Sequence, residues 1–254
     1  MTYCLAIAAE AGLVFVSDSR TSAGVDMINT YSKMYGFGIP SDRQLVLLTS
    51  GNLATSQAVI SKIKKAIKLA NGPNLLNFEH MTEVAEYVGE LCREAQDKSA
   101  AANVNMEAYF IVGGQIRDQR PCIYLVYPQG NYISTSSDTT YLQIGESKYG
   151  KPILDRILTP KVSLETAAMC ALVSMDSTMR SNLTVGPPIE LLIYETGSLV
   201  PGRYYRFEED SEYLRRLKRA WEKLLKDAFN KLPPVAWSST WDRQAEENAR
   251  EESQ

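Results

Sequence analysis

A threonine directly follows the first methionine and opens the apolar run Thr2-Tyr3-Cys4-Leu5-Ala6-Ile7-Ala8. Its small side chain permits removal of Met1 in the cytosol, which would leave a free α-amine beside the Thr2 hydroxyl. Nucleophile and base would then belong to one residue. An α-amine titrates at about pH 7.7–8.0, so its neutral form can accept the hydroxyl proton near working pH. Asp18, in Ser17-Asp18-Ser19-Arg20, and Lys33, in Tyr31-Ser32-Lys33-Met34, are the expected partners. The lysine would place positive charge beside Thr2 and keep the amine largely unprotonated. The aspartate would hold that lysine charged, because a buried ammonium without a partner tends to lose its proton. Taken singly, each feature has an ordinary reading: Thr2 as a site of methionine removal, Asp18 and Lys33 as a surface ion pair. Together they suit acyl transfer through a threonine ester.

Short β-prone runs must position these groups. Tyr3 to Ala8 and Leu13 to Val16 flank Ala9-Glu10-Ala11-Gly12 and predict a hairpin that sets Thr2 at a strand start. Thr30 to Tyr35 and Leu45 to Thr49 predict a second hairpin, carrying Lys33 across the turn at residues 39–43. After Gly51 the period becomes helical through Ala58, Val59, Ile63, Ala66, Ile67 and Ala70, until Asn71-Gly72-Pro73. A second helix is expected over residues 79–100. Strands at 108–114, 122–127, 132–134 and 142–145 follow, then helices at 148–157 and 164–175, then strands at 189–194 and 203–207. Blocks of strands alternating with pairs of helices do not suit a simple parallel sheet; they suit antiparallel sheets with helices grouped on their outer faces.

Residues 208–231 predict one more helix, with Leu214, Leu217, Trp221, Leu224 and Ala228 along one stripe and a basic surround. That stripe fits either its own sandwich or a neighbouring subunit. Pro233-Pro234 ends the helix, and the tail holding Trp237 and Trp241 lacks an apolar period and is expected to be mobile. The expected organisation is a domain over 2–207, a helical extension over 208–232 and a polar tail over 233–254.

Composition narrows the partners. The 254 residues carry a formal net charge of -3, with 44% hydrophobic and 22% charged residues, typical of a folded soluble chain. Apolar runs stay short of the roughly 18 residues that span a bilayer, and the N-terminus lacks a secretory pattern, so a cytoplasmic protein off the membrane is expected. Lysines 62, 64, 65 and 68 read as a solvated helix face, and nucleic acid is not an expected partner. Cys4, Cys92, Cys122 and Cys170 stand apart in apolar segments, suggesting neither a disulfide nor zinc. His80, the single histidine, has no companions, which removes a Ser-His-Asp site. No cofactor is expected.

Gly51 is the candidate oxyanion donor. It precedes a helix, where a backbone N–H and the helix dipole favour developing negative charge; the ordinary reading is a turn glycine. Thr2, Ser17-Asp18-Ser19-Arg20, Lys33 and Thr49-Ser50-Gly51-Asn52 together resemble a proteasome β-type subunit of the N-terminal-nucleophile hydrolases. The phrases Ala11-Gly12-Leu13-Val14-Phe15-Val16-Ser17-Asp18-Ser19-Arg20-Thr21 and Ser174-Met175-Asp176-Ser177-Thr178-Met179-Arg180-Ser181-Asn182-Leu183 are similar to the bacterial branch called Anbu. The resemblance spans about residues 2–206. It implies a four-layer α-β-β-α sandwich, an α+β fold, here with the extra C-terminal helix.

The resemblance also implies Ser147, Asp176 and Ser181 as groups that hold the α-amine and its water. Ser181 is displaced from the family spacing, and Glu146 and Lys148 bring charge where the family has small residues. Thr21, Thr49 and Leu53 are pocket positions by the same resemblance. The expected activity is threonine-type peptide hydrolysis inside a self-compartmentalising homo-oligomer, either ring or open spiral, acting on peptide or unfolded protein. The chain has no P-loop, so any energy-dependent unfolding would have to come from a separate ATP-dependent unfoldase. An amidase for a small metabolite and a catalytically weak assembly subunit are the alternatives.

Overall fold

The computed structural model describes residues 2–22, 28–97, 105–233 and 235. Strands β1 (Tyr3–Ala9) and β2 (Gly12–Asp18) form the expected first hairpin. Next come a short pair, β3 (Arg20–Ser22) and β4 (Ile28–Thr30), then β5 (Met34–Ile39) and β6 (Arg43–Gly51). Helices α1 (Leu53–Leu69) and α2 (Met81–Asp97) precede β7 (Ala108–Ile116), β8 (Cys122–Val126), β9 (Tyr132–Ser134) and β10 (Tyr141–Gly145). Helices α3 (Lys151–Ile157) and α4 (Leu164–Ser181) precede β11 (Ile189–Glu195), β12 (Arg203–Phe207) and α5 (Glu212–Phe229).

Two antiparallel sheets result, with strand orders β10-β1-β2-β11-β12 and β5-β6-β7-β8-β9. Side chains alternate across each strand, and the central strands β1, β2, β6 and β7 are buried almost throughout, whereas the edge strand β12 is largely exposed. Cys4, Ala6, Leu13 and Phe15 of the first sheet meet Val46, Leu48, Ile111 and Ile123 of the second in one buried layer. On the outer face of the second sheet, Leu45, Leu47, Phe110 and Val112 pack under Val59, Ile63, Val84 and Val88 of α1 and α2. Helix α4 covers β1, β2 and β11 on the outer face of the first sheet. The architecture is the α-β-β-α sandwich that the block pattern implies. Strands buried on both faces read as continuous apolar runs, which is why β1 and β2 are legible in sequence.

Several boundaries differ from expectation. Lys33 lies in the loop between β4 and β5 rather than within a strand, and the β3–β4 pair shares only Thr30 with an expected strand. Helix α2 begins at Met81, and α3 begins at Lys151 behind Gly150. Helix α4 runs past Met175 to Ser181: Ser177 and Thr178 turn their hydroxyls back to the Val173 and Ser174 carbonyls, each at 2.9 Å, so these turn-favouring residues stay helical. The chain forms two compact units, divided between Ser211 and Glu212. In the second, Leu214, Leu217 and Trp221 are half-buried, whereas Leu224, Leu225 and Phe229 are exposed. Met1 and most of the expected polar tail, including Trp237 and Trp241, lie outside the described residues.

Candidate active site

Thr2 sits at the open end of β1, and its carbonyl accepts the Glu146 N–H at 2.7 Å. That approach requires Gly145, whose φ is +84° and where a Cβ would lie 1.9 Å from the Thr2 oxygen. Tyr3, completely buried, anchors the strand from the next position. Its hydroxyl contacts Ser174 Oγ at 2.7 Å and accepts from Gln143 Nε2 at 2.6 Å, while Ser174 Oγ donates to the Gly150 carbonyl at 3.0 Å. The threonine is thereby tied to α4 and to β10.

Asp18 closes β2 and is wholly buried. Its Oδ1 accepts from Lys33 Nζ at 2.7 Å and from the Tyr3 N–H at 3.1 Å, and its Oδ2 accepts from the Gly186 N–H at 3.3 Å. Lys33 Nζ also donates to the Arg20 carbonyl at 2.6 Å, so two acceptors hold the ammonium. Burial pushes the Asp18 carboxyl up from the ordinary carboxylate range, against the opposing pull of Lys33 and the two backbone donors. The expected pair is therefore a buried ion pair, and one of its oxygens bonds the residue next to Thr2.

Gly51 ends β6 one residue before Asn52, whose side chain accepts the Thr55 N–H at 3.1 Å and caps α1. Its φ is +92°, and a Cβ there would lie 2.4 Å from the Glu107 carbonyl. Glycine is thus required both by conformation and by space. A cavity of about 600 Å³ is lined by Thr2, Gly51, Gly145 and Ser147, with Thr21, Tyr109, Leu125 and Tyr127 forming further wall. Tyr109 and Tyr127 meet edge to face, with ring centroids 6.3 Å apart.

The expected residues separate into three groups. Thr2, Gly51 and Ser147 share the cavity. Asp18 and Lys33 are buried behind Thr2. Asp176 and Ser181 belong to the last two turns of α4, away from the cavity lining. Glu146 does not load the cavity with charge: its side chain is buried and accepts from Asn182 Nδ2 at 3.1 Å. Of the pocket positions, Thr21 lines the cavity, whereas Thr49 is buried in β6 and Leu53 begins α1. Tyr3, Gln143, Ser174, Tyr109 and Tyr127 went unassigned by sequence reasoning. The one available signal was a tyrosine inside an otherwise aliphatic β1, which when buried needs a hydroxyl partner.

A four-layer sandwich with a threonine in the lining of its cavity is the class of N-terminal-nucleophile hydrolase folds. The proteasome subunit family model matches residues 2–193, and the chain belongs to that family. Within it the chain is similar to Anbu, the ancestral beta-subunit, from Yersinia bercovieri, at 42% identity over 92% of this chain and 98% of that one, with a TM-score of 0.87. The helically assembled Anbu complex from Pseudomonas aeruginosa matches at 47% identity, with the same coverage and a TM-score of 0.88. Anbu from Hyphomicrobium sp. strain MC1 matches at 43% identity over 92% of this chain and 99% of that one, with a TM-score of 0.85. Among curated proteins none matches the chain.

Proposed function

We propose that this chain is a threonine-type peptidase subunit of a proteasome-like assembly in the cytoplasm, with Thr2 exposed by removal of Met1. The observation that carries this reading is the convergence of Thr2 and Gly51 on one cavity, with the buried Lys33–Asp18 pair bonded through Asp18 to the neighbour of Thr2. The Thr2 hydroxyl attacks the carbonyl carbon of a peptide bond while the Thr2 amine takes its proton. The Gly51 N–H, at the start of α1, donates to the oxyanion. As the C–N bond breaks, the amine passes the proton to the leaving nitrogen; water then cleaves the threonine ester and restores the hydroxyl. Lys33 favours ionisation of the hydroxyl, and Asp18 keeps Lys33 charged. Ser147 holds the amine and its water from the cavity wall, with Asp176 and Ser181 supporting from the end of α4.

The assembly is a homo-oligomer, a reading supported by the helically assembled relative and by the exposed apolar side chains of α5. The substrate is peptide or unfolded protein, and any energy-dependent unfolding of it belongs to a separate unfoldase. The test compares turnover of a peptide-amide panel with that of small metabolite amides, in the wild type and in Thr2→Ala, alongside sedimentation. Peptide turnover lost in Thr2→Ala supports the reading. Metabolite turnover alone would transfer it to an amidase, and intact assembly without either activity would leave an assembly subunit. A sharp monomer at micromolar concentration would remove the oligomer.

A further inference from the structure

We propose that Glu190 is a positioning residue that fastens the segment carrying Asp18 to the segment carrying Lys33; the inference rests on the role proposed above for that pair. Glu190 lies in β11, is 3% exposed, and occupies the ladder position opposite Ser17 of β2. Three hydroxyls from three segments converge on its carboxylate. Ser19, directly after Asp18, donates to Oε2 at 3.2 Å. Ser32, directly before Lys33, lies 2.8 Å from Oε2 and 3.0 Å from Oε1. Tyr204 of β12 donates to Oε1 at 2.6 Å.

A buried carboxylate is costly unless its lone pairs are filled, so this group must serve as an acceptor for what surrounds it. Ser32 has one hydroxyl proton, and both Glu190 and the Met34 carbonyl, at 3.0 Å, lie within its reach. The contact at 2.8 Å is the shorter and is charge-assisted, so it takes the proton. The Met34 N–H, 3.3 Å from Ser32 Oγ, then donates back to that oxygen and fixes the turn into β5. The two segments already share one backbone bond, Tyr31 N–H to the Ser19 carbonyl at 2.9 Å. Glu190 adds a side-chain tie from the same Ser19 to Ser32, one residue nearer to Lys33. A carboxylate suits this task because its two oxygens accept from both segments at once, whereas an apolar residue of similar size would strand the buried Ser19 hydroxyl and return the Ser32 hydroxyl to the Met34 carbonyl within its own segment.

The test uses the full chain and reads the Lys33 amine directly. Lys33 acylation by acetic anhydride is followed by peptide mass spectrometry, with exposed Lys151 as internal reference, together with amide exchange in residues 17–20 and 31–34. Glu190→Gln and Ser32→Ala should each raise Lys33 acylation by about tenfold, the increment expected from losing one hydrogen bond to a charged group. Exchange should rise in those two segments and stay unchanged in β10. Tyr204→Phe removes a donor from β12 but no bond between the two segments, since Ser19 and Ser32 still meet on Glu190, so acylation should stay within about twofold. If Glu190→Gln fails to fold, Ser32→Ala carries the comparison. Lys33 acylation at the wild-type level in Ser32→Ala, or a rise in Tyr204→Phe as large as that in Ser32→Ala, would overturn the proposal. Release of Lys33 in a protein whose Thr2 takes no electrophile would uphold the fastening and reject the threonine mechanism.

Discussion

The layer beneath α1 and α2 and the region behind Thr2 are both closed to solvent, yet they are built from opposite materials. The first is filled by Leu45, Leu47, Val59, Ile63, Val84, Val88 and Phe110. The second holds Asp18, Ser19, Lys33, Ser174 and Glu190, all buried, with the Tyr3 hydroxyl among them. An apolar layer is held by area and volume and tolerates swaps that conserve both. A polar interior is held by named partners, so loss of a single atom leaves another group stranded. In this molecule the stringent material lies where Thr2 must be aimed.

Removing a charge should separate the regions most. Lys33→Ala strands the Asp18 carboxylate and should cost about 3–5 kcal/mol of stability. It should also slow Thr2 labelling by about a hundredfold to ten-thousandfold through lost acid–base assistance. Denaturant melts and timed labelling measure the two effects, and an unchanged labelling rate would break the comparison. Asp18→Asn should follow Lys33→Ala more closely than Thr2→Ala.

In the apolar layer, Ile63→Ala should cost about 2–5 kcal/mol with the labelling rate unaltered, because it removes volume far from Thr2. A proportionate loss of labelling would mean that the two regions are coupled. Tyr3→Phe removes one oxygen and should cost about 1–3 kcal/mol, since Gln143 and Ser174 lose their shared partner. Unlike Ile63→Ala, it should also slow labelling, because it loosens the anchor of the residue beside Thr2.

The smallest effect concerns the thiols. Burial pushes Cys92 and Cys170 each up to about 11. The thiolate is the reactive form, so alkylation at pH 8 should be slow and should quicken as pH rises towards that value. An unfolded chain releases these protons at about 8.5. The folded state therefore binds more protons above that pH, and stability should fall as pH rises from there through the folded values. Rapid alkylation at pH 8 in a folded sample would contradict these environments.

The sandwich was legible because its central strands are apolar on both faces and its first helix keeps a clear period; Val59 and Ile63 appear in the core as their spacing implies. Thr2, Gly51 and Ser147 could be placed together only through family likeness, since no local pattern links residues so far apart in the chain. The continuation of α4 was hidden because Ser177 and Thr178 bear turn-favouring side chains that bond back to their own helix. Lys33 read as a strand residue because Tyr31 and Met34 flank it with β-compatible side chains, while its ammonium is placed by Asp18 and the Arg20 carbonyl. Glu190 left no signal at all. A carboxylate in a strand reads as a solvent-facing position until Ser19, Ser32 and Tyr204 are seen around it.

The most direct measurement is the intact mass of the purified protein before and after treatment with an electrophile that captures an amine and a hydroxyl on the same residue. The account predicts a chain beginning at Thr2, a single adduct mapped to that residue, and no adduct in Thr2→Ala. Fully active protein that retains Met1, or wild-type peptide turnover in Thr2→Ala, would contradict it.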